Sequence, residues 1–276
     1  MAKINTAFAD SHVHTEYSHD SRCTVAECAA AALERGLAAI TVTDHCDISF
    51  CRDESNLDNV KLSAEEARRV DEEIGDRLAV ISGVELGDGE WNPSLARSLA
   101  AYDGFEVILG SVHSVPYKNY GMAFSCVNFG GWKKEELVGF MNRYFDEVLE
   151  MIRTFDFNIL SHLTVPLRYI NGKYGHGISA ELFYPVIERI LSEIIERGIA
   201  LEVNTSTYAA MSVTLPDEAI LQMYKELGGR LVSLGSDAHI PELVASNFSR
   251  AAEMIKKCGF DSYVYMRNKK FISVSI

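Results

Sequence analysis

The chain has no run of the roughly 18 apolar residues that a membrane helix needs, although 47% of its 276 residues are hydrophobic. No membrane-spanning role is expected, and the apolar content has to go into a folded core. The opening MAKINTAFADSH lacks the basic and then apolar order of a secretory leader, so a cytoplasmic location is expected. The six cysteines (Cys23, Cys28, Cys46, Cys51, Cys126, Cys258) form no CxxC pair. A chain of this length does not need disulfides to stay folded, and reduced thiols, mostly packing residues, are expected. Basic residues are also scarce: 26 Lys and Arg against 39 Asp and Glu give a net charge of −13. That charge repels nucleic acid phosphates at long range, so binding would need a local basic stripe. The richest basic clusters, EEARRVDEE and MRNKK, are interleaved with acids or very short, so no nucleic acid partner is expected. There is no internal repeat, low-complexity segment or linker, and one domain spanning residues 1–276 is expected, with the oligomeric state open.

What the sequence does contain is alternation. The apolar or β-branched runs INTAFADSHVH, LAAITVTDH, LAVISGVELG, FEVILGSVHS, FNILSHLT, IALEVNTS and RLVSLGSDAH are separated by helical patterns. This order specifies an α/β fold with a parallel sheet and crossover helices. TVAECAAAALERG opens with Thr24 and Glu27 at capping-box spacing and closes on Gly36, which suits a left-handed C-terminal position. SAEEARRVDEEIGDRL repeats the device with Ser63 and Glu66. Leu137, Met141, Tyr144, Phe145, Val148 and Ile152 form one stripe of a long helix and read as core. Further helices are expected at YPVIERILSEIIERG, PDEAILQMYKELGG and VASNFSRAAEMIKKCGF. Residues near 47 to 60 and 168 to 178 read as irregular loops, where substrate specificity resides in such folds.

The histidines are not scattered. His12 and His14 end the first strand pattern, His45 the second, His113 the fourth and His162 the fifth, and His239 follows the seventh. Glu85 closes the third pattern and Asp237 the seventh. In a (β/α) barrel the C-terminal strand ends share one face, so these side chains become neighbours. A single histidine at a strand end is usually a hydrogen-bonded rim residue, but the whole set at equivalent positions points to metal. In HxH the residues at i and i+2 face the same way and offer two nitrogens to one ion, while Val13 turns outward. A carboxylate such as Glu85 can bridge two ions. Ligands of this kind without thiolate suit Zn²⁺, Mn²⁺ or Fe²⁺ in a hydrolytic site. Cys46, next to His45, is expected to point away.

The motifs DSHVHT, TVTDH, SGVELG, GSVHSV, ILSHL and GSDAH resemble, in order and spacing, those of the PHP (polymerase and histidinol phosphatase) family from residue 10 to about residue 260. SHLTVPLRYI, LEVNTS and GSDAHIPELVASNF resemble its histidinol-phosphate phosphatase branch. The resemblance implies a distorted seven-stranded (β/α)7 TIM-like barrel holding two or three divalent metals (Zn, Mn or Fe). It assigns His12, His14, Glu85 and Asp237 to a first metal, Glu85, His113 and His162 to a second, and Asp20, His45 and His239 to a third, with His19 the alternative to Asp20. Glu85, His113, Asp237 and His239 would be catalytic. Asp10 and Asp44, each preceding ligand histidines, are expected to orient imidazoles or end strands. Arg168 would grip the substrate phosphate through its guanidinium fork, and His19, His176 and Arg22 would contact substrate.

The implied activity is hydrolysis of a phosphomonoester, foremost L-histidinol phosphate, by a metal-bridging hydroxide attacking in line, with His19, His176 or water protonating the leaving group. Acidic residues of DESNLD (residues 53–58) would receive the cationic part of that substrate. An enzyme of the same family acting on nucleotide 3′, 5′ or cyclic phosphates would share every ligand. A TIM-barrel amidohydrolase would need eight strands and a bridging lysine where this chain has His113. An inactive metal-binding module would have lost a ligand, whereas every position here carries a competent one.

Overall fold

The computed structural model describes residues 8–50, 55–118 and 123–276. Along the chain the elements are β1 (Ala9–Val13), α1 (Val25–Glu34), β2 (Ala39–Val42), β3 (His45–Asp47), α2 (Ser55–Ile74), β4 (Ala79–Gly87), α3 (Pro93–Ala100), β5 (Val107–Ser111) and α4 (Lys134–Thr154). They continue with β6 (Ile159–Leu160), α5 (Tyr184–Arg197), β7 (Ala200–Asn204), α6 (Tyr208–Met211), α7 (Glu218–Glu226), β8 (Val232–Gly235), α8 (Phe248–Lys257), β9 (Ser262–Arg267) and β10 (Lys270–Ser275).

Seven strands pair in parallel in the order β1, β2, β4, β5, β6, β7, β8, with β3 pairing alongside the upper half of β4. The ring is drawn together where Asp237 N donates to His12 O and His14 N to Ala238 O, both at 2.9 Å. This is the expected distorted (β/α)7 TIM-like barrel. Its strands are buried along their length, which is why they read as short apolar runs rather than as alternating ones. The stripe on α4, from Leu137 to Ile152, is buried against the barrel wall. Among the described residues no helix is long and apolar enough to cross a membrane.

Local chemistry explains the well-placed helix α1. Thr24 accepts from Glu27 N at 3.1 Å, and the Glu27 carboxylate accepts from Thr24 N at 2.8 Å, which satisfies two otherwise orphaned donors. Cys23 and Cys28 flank this cap as buried staple residues, their sulfurs 3.2 Å apart. Gly36 takes φ +68° just past the helix end, as its position required.

Several expectations need correction. Helix α2 begins at Ser55, not at Ser63, so the stretch expected to be loop up to residue 60 is largely strand β3, a 3-10 turn (Ile48–Phe50) and helix. Ser63 sits inside the helix and its buried hydroxyl donates to Asp44 Oδ2 at 2.5 Å, while Glu66 pairs with Arg69. The S-x-x-E pattern arose from one inward and one outward residue of an amphipathic helix, not from a cap. Residues Arg168–Lys173 form a π-helical turn rather than irregular loop. The short helix α3, capped by Asn92 with Pro93 in its first turn, had not been anticipated. Nor had the hairpin of β9 and β10, in which the cluster read as basic, MRNKK, supplies the turn. Asn268 and Lys269 take φ +52° and +57°, the values of a two-residue turn matched to strand twist. Buried Tyr263 ties this hairpin to the barrel, its hydroxyl accepting from Ala9 N at 2.8 Å. Cys51, Asp53 and Glu54 lie outside the described residues.

Candidate metal centre

Glu85, at the upper end of β4 and wholly buried, is the hub on which the strand tips converge. Its Oε1 lies 2.8 Å from His162 Nε2 and 3.2 Å from His113 Nε2. Its Oε2 lies 2.8 Å from His45 Nδ1, 3.4 Å from His12 Nε2 and 3.5 Å from His14 Nε2. Asp237 closes the other side, with Oδ1 3.3 Å from His14 Nε2 and 3.8 Å from His12 Nε2. The imidazoles of His45 and His239 both stack against that of His14, with centroids 4.2 and 4.3 Å away and 5.8 Å from each other. His162 and Asp237 hold positive φ values of +22° and +54°, backbone conformations uncommon for residues with a Cβ and concentrated at functional sites.

The outer nitrogens of three of the imidazoles are held by acceptors. His12 Nδ1 is 2.7 Å from Glu202 Oε1, and His113 Nδ1 is 2.7 Å from Asp47 Oδ1. Ser18 Oγ donates to Asp44 Oδ1 at 2.6 Å and so accepts from His14 Nδ1 at 3.2 Å. Protons on these three Nδ1 atoms leave the Nε2 lone pairs pointing inward, where His12 and His14 Nε2 approach to 3.0 Å and His113 Nε2 comes within 3.4 Å of that of His162, whose own Nδ1 is buried without a partner. Lone pairs at such distances repel unless a cation lies among them. Buried Glu85 Oε2 and His45 Nδ1 likewise make no hydrogen bond. Four overlapping groups bring ligand atoms within 4.8 Å of one another: His12, His14 and Asp237; His12, Glu85 and His162; His45, Glu85 and His113; His14, His45 and His239. The residues therefore fit divalent ions, and the oriented imidazoles are those that metal ligation requires.

The electrostatics follow from this crowding. Burial alone would keep Glu85 and Asp237 neutral, but the surrounding imidazoles, and Arg168 beside Asp237, hold both carboxylates well below the usual range. Burial opposes charge on His12, yet Glu202, Glu85 and Asp237 raise it well above an ordinary histidine. His14 is driven the other way, by burial and then by neighbouring His45 and His239. His239 is also opposed by burial, but Asp20 and Asp237 lift it to about 9.

The structure brings His12, His14, His45, Glu85, His113, His162, Asp237 and His239 to one place. Asp20 stands at its rim, Oδ2 3.3 Å from His239 Nε2 and Oδ1 3.7 Å from His45 Nε2. His19 is 74% exposed, its ring 5.5 Å from that of His45, so Asp20 is the better placed of the two. The centre opens into a cavity of about 560 Å³ whose wall includes His19, Arg168, Tyr17, Phe50, Phe124 and Tyr169. Arg168 Nη2 lies 2.9 Å from Asp237 Oδ2 and also meets Ser206 Oγ.

Two expected substrate contacts are not brought to the cavity wall. His176 Nε2 donates to Phe129 O at 2.8 Å, because the turn after Arg168 folds back on the main chain. Arg22 is exposed, since buried Ser21 and Cys23 on either side turn it outward. Asp10 touches no imidazole ring. It clasps β1 to the segment after β8, accepting from Ser236 Oγ at 2.6 Å, Ser236 N at 3.0 Å and Ala245 N at 2.8 Å. Asp44 reaches the His14 ring through Ser18 and also accepts from Thr15 N, the next residue along the chain, at 2.6 Å. Cys46 is buried in the core, away from the ligands.

Glu202 and Asp47 were missed. Glu202 left a trace, a lone carboxylate inside the apolar strand IALEVNTS, and Asp47 another, two residues after His45 and so on the same strand face. Neither trace says which imidazole is held.

Comparison with known proteins agrees with this geometry. The PHP domain family model matches residues 10–206. The histidinol-phosphatase of Lactococcus lactis subsp. lactis is 27% identical over 255 residues, covering 91% of this chain and 91% of the relative. A probable histidinol-phosphatase of Clostridium acetobutylicum is 28% identical over 255 residues, covering 90% of this chain and 93% of the relative. The crystal structure of histidinol phosphate phosphatase from Lactococcus lactis, complexed with zinc, L-histidinol and phosphate, matches with a TM-score of 0.77 at 23% identity over 96% of this chain and 98% of that one. That likeness establishes the shared barrel.

Proposed function

The chain belongs to the PHP domain family, and on that premise we propose that it is a metal-dependent phosphatase that hydrolyses L-histidinol phosphate to L-histidinol and phosphate. The observation that carries this reading is the convergence on Glu85 of five imidazoles from four strand ends, in a cavity that also presents a guanidinium. The names of relatives that align over about nine-tenths of the chain support the choice of substrate.

A phosphomonoester resists hydrolysis because an anionic nucleophile must approach an anionic phosphorus. Divalent ions, when bound by His12, His14, Glu85, Asp237, His113, His162, His45, His239 and Asp20, neutralise that charge and acidify water. The chain's own groups supply the rest. Arg168, anchored on Asp237, presents the remainder of its fork to phosphoryl oxygens and orients them. Glu202 and Asp47 keep the Nδ1 protons of His12 and His113 in place. His19 reaches the cavity while His176 is engaged elsewhere, so His19 is the side chain placed to give a proton to the leaving alkoxide oxygen. Phe50, Phe124 and Tyr169 provide flat apolar surface for an organic leaving group. Of DESNLD, Asp58 is exposed and does not line the cavity, whereas Glu16 does and takes over the role of facing a cationic group.

The test is steady-state phosphate release from L-histidinol phosphate against nucleoside 3′-, 5′- and cyclic phosphates, with zinc, manganese or iron supplied. The highest kcat/KM is expected for L-histidinol phosphate. A preference for nucleotides overturns the substrate assignment, and metal uptake without turnover of any phosphoester overturns the enzyme assignment.

A further inference from the structure

Glu202, on β7, is wholly buried and comes no closer to the proposed ions than the outer edge of an imidazole. Its two oxygens serve different strands. Oε1 lies 2.7 Å from His12 Nδ1, on β1. Oε2 accepts from the main-chain N of His162 at 2.7 Å, just after β6, and from Asn204 Nδ2 at 3.2 Å. His162 is the residue held at φ +22°, so the bond to its N–H fixes a peptide away from its commonest conformations. The neighbouring strand makes room: a Cβ on Gly235 of β8 would stand 2.0 Å from Glu202 Oε1 and 2.8 Å from His12 Cβ.

We propose that Glu202 is a positioning residue that selects the His12 tautomer with its proton on Nδ1 and fixes the His162 main chain, and so sets how tightly the ions that these two histidines ligate are held. The inference rests on the metal-centre reading above. An ionised carboxylate accepts and never donates, so it compels His12 to carry its proton on Nδ1 and to turn the Nε2 lone pair toward Glu85 and His14.

Glutamine at this position has one acceptor where three donors need satisfying. Its carbonyl oxygen does best at the Oε2 position, where His162 N and Asn204 Nδ2 both donate. Its amide nitrogen then faces His12 Nδ1 and donates to it. That switches the imidazole to the opposite tautomer, with a proton on Nε2 where the ion should sit. A change that alters side-chain volume very little should therefore disable a ligand it does not replace.

The experiment is zinc affinity by chelator competition on the full chain, for the parent, Glu202→Gln and Glu202→Asp, with ¹⁵N NMR of the histidine rings in the zinc-loaded parent. Glu202→Gln should weaken one class of zinc by about 10 to 100-fold, the usual scale for losing such a partner. Glu202→Asp, which keeps two acceptors on a shorter stem, should lose less. In the parent, His12 should show a protonated Nδ1 and a zinc-ligated Nε2. Parent-like zinc binding by Glu202→Gln, or ligation through Nδ1 in the parent, overturns the proposal. If Glu202→Gln does not fold, the ring assignment in the parent still decides. Failure of the parent itself to bind zinc sinks the metal reading and this inference together, and that result is recognisable without any variant.

Discussion

Arg168 Nη2 lies 2.9 Å from Asp237 Oδ2, while the Oδ1 atom of the same carboxylate faces His14 Nε2 at 3.3 Å. One carboxylate thus joins the guanidinium in the cavity to the proposed metal ligands, and the arginine is held in place before substrate arrives. The side chain lines the cavity and is 28% exposed, so part of the guanidinium faces the space an anion would enter.

Arg168→Lys keeps the charge but loses the planar fork. The KM for a phosphomonoester should rise roughly tenfold or more, which corresponds to about 1.4 kcal/mol, with metal content unchanged. Metal analysis alongside initial rates checks this, and an unchanged KM removes Arg168 from phosphate binding.

Glu85→Gln removes the negative charge that faces five imidazoles. A loss of at least ~10²-fold in kcat is expected, the scale of losing charge stabilisation in a transition state, and His113→Ala should behave similarly. Near-normal turnover with full metal content would take either residue out of the centre.

Glu90, near Asp88, is buried with no donor group to hold a negative charge on its oxygens. Burial first, and then the charges of Asp88 and Glu147, push it from 4.5 to about 9. The folded chain therefore keeps this proton while the unfolded chain has lost it, so its contribution is complete below about 4.5 and is lost as pH rises toward about 9. Across that window stability should fall with a slope of up to about 1.4 kcal/mol per pH unit from this group. Glu90→Gln should remove that slope. Urea midpoints for parent and variant at several pH values check it, and parallel profiles would contradict it.

Tyr263→Phe leaves Ala9 N without its acceptor where the hairpin meets β1. The expected cost is about 1 to 3 kcal/mol, that of an unpaired buried donor, readable as a lowered urea midpoint. A neutral result would show that Ala9 N finds another acceptor.

The seven barrel strands were legible in the sequence because parallel strands buried on both faces must be short apolar runs between helices. The ligand set was legible because a barrel collects its strand tips, so position along the chain predicts position in space. The hairpin was harder to see: Tyr263, Val264, Tyr265 and Met266 carry its strand, but the basic residues of its turn drew attention to charge. The start of α2 was misplaced because Ser63 mimics a cap while its hydroxyl reaches Asp44 across the core. Glu202 and Asp47 were hidden for a similar reason. A carboxylate's partner is fixed by the neighbouring strand, and no local pattern records which nitrogen it will hold. His176 and Arg22 show the converse, since placing a residue in a loop does not settle where its side chain points.

The most direct measurement is anomalous X-ray scattering at the zinc edge from crystals of the zinc-loaded chain. Peaks are expected among His12, His14, Glu85 and Asp237 and among Glu85, His113 and His162, with Glu85 shared between them. Zinc bound elsewhere, with no peak touching Glu85, would contradict the account at its centre.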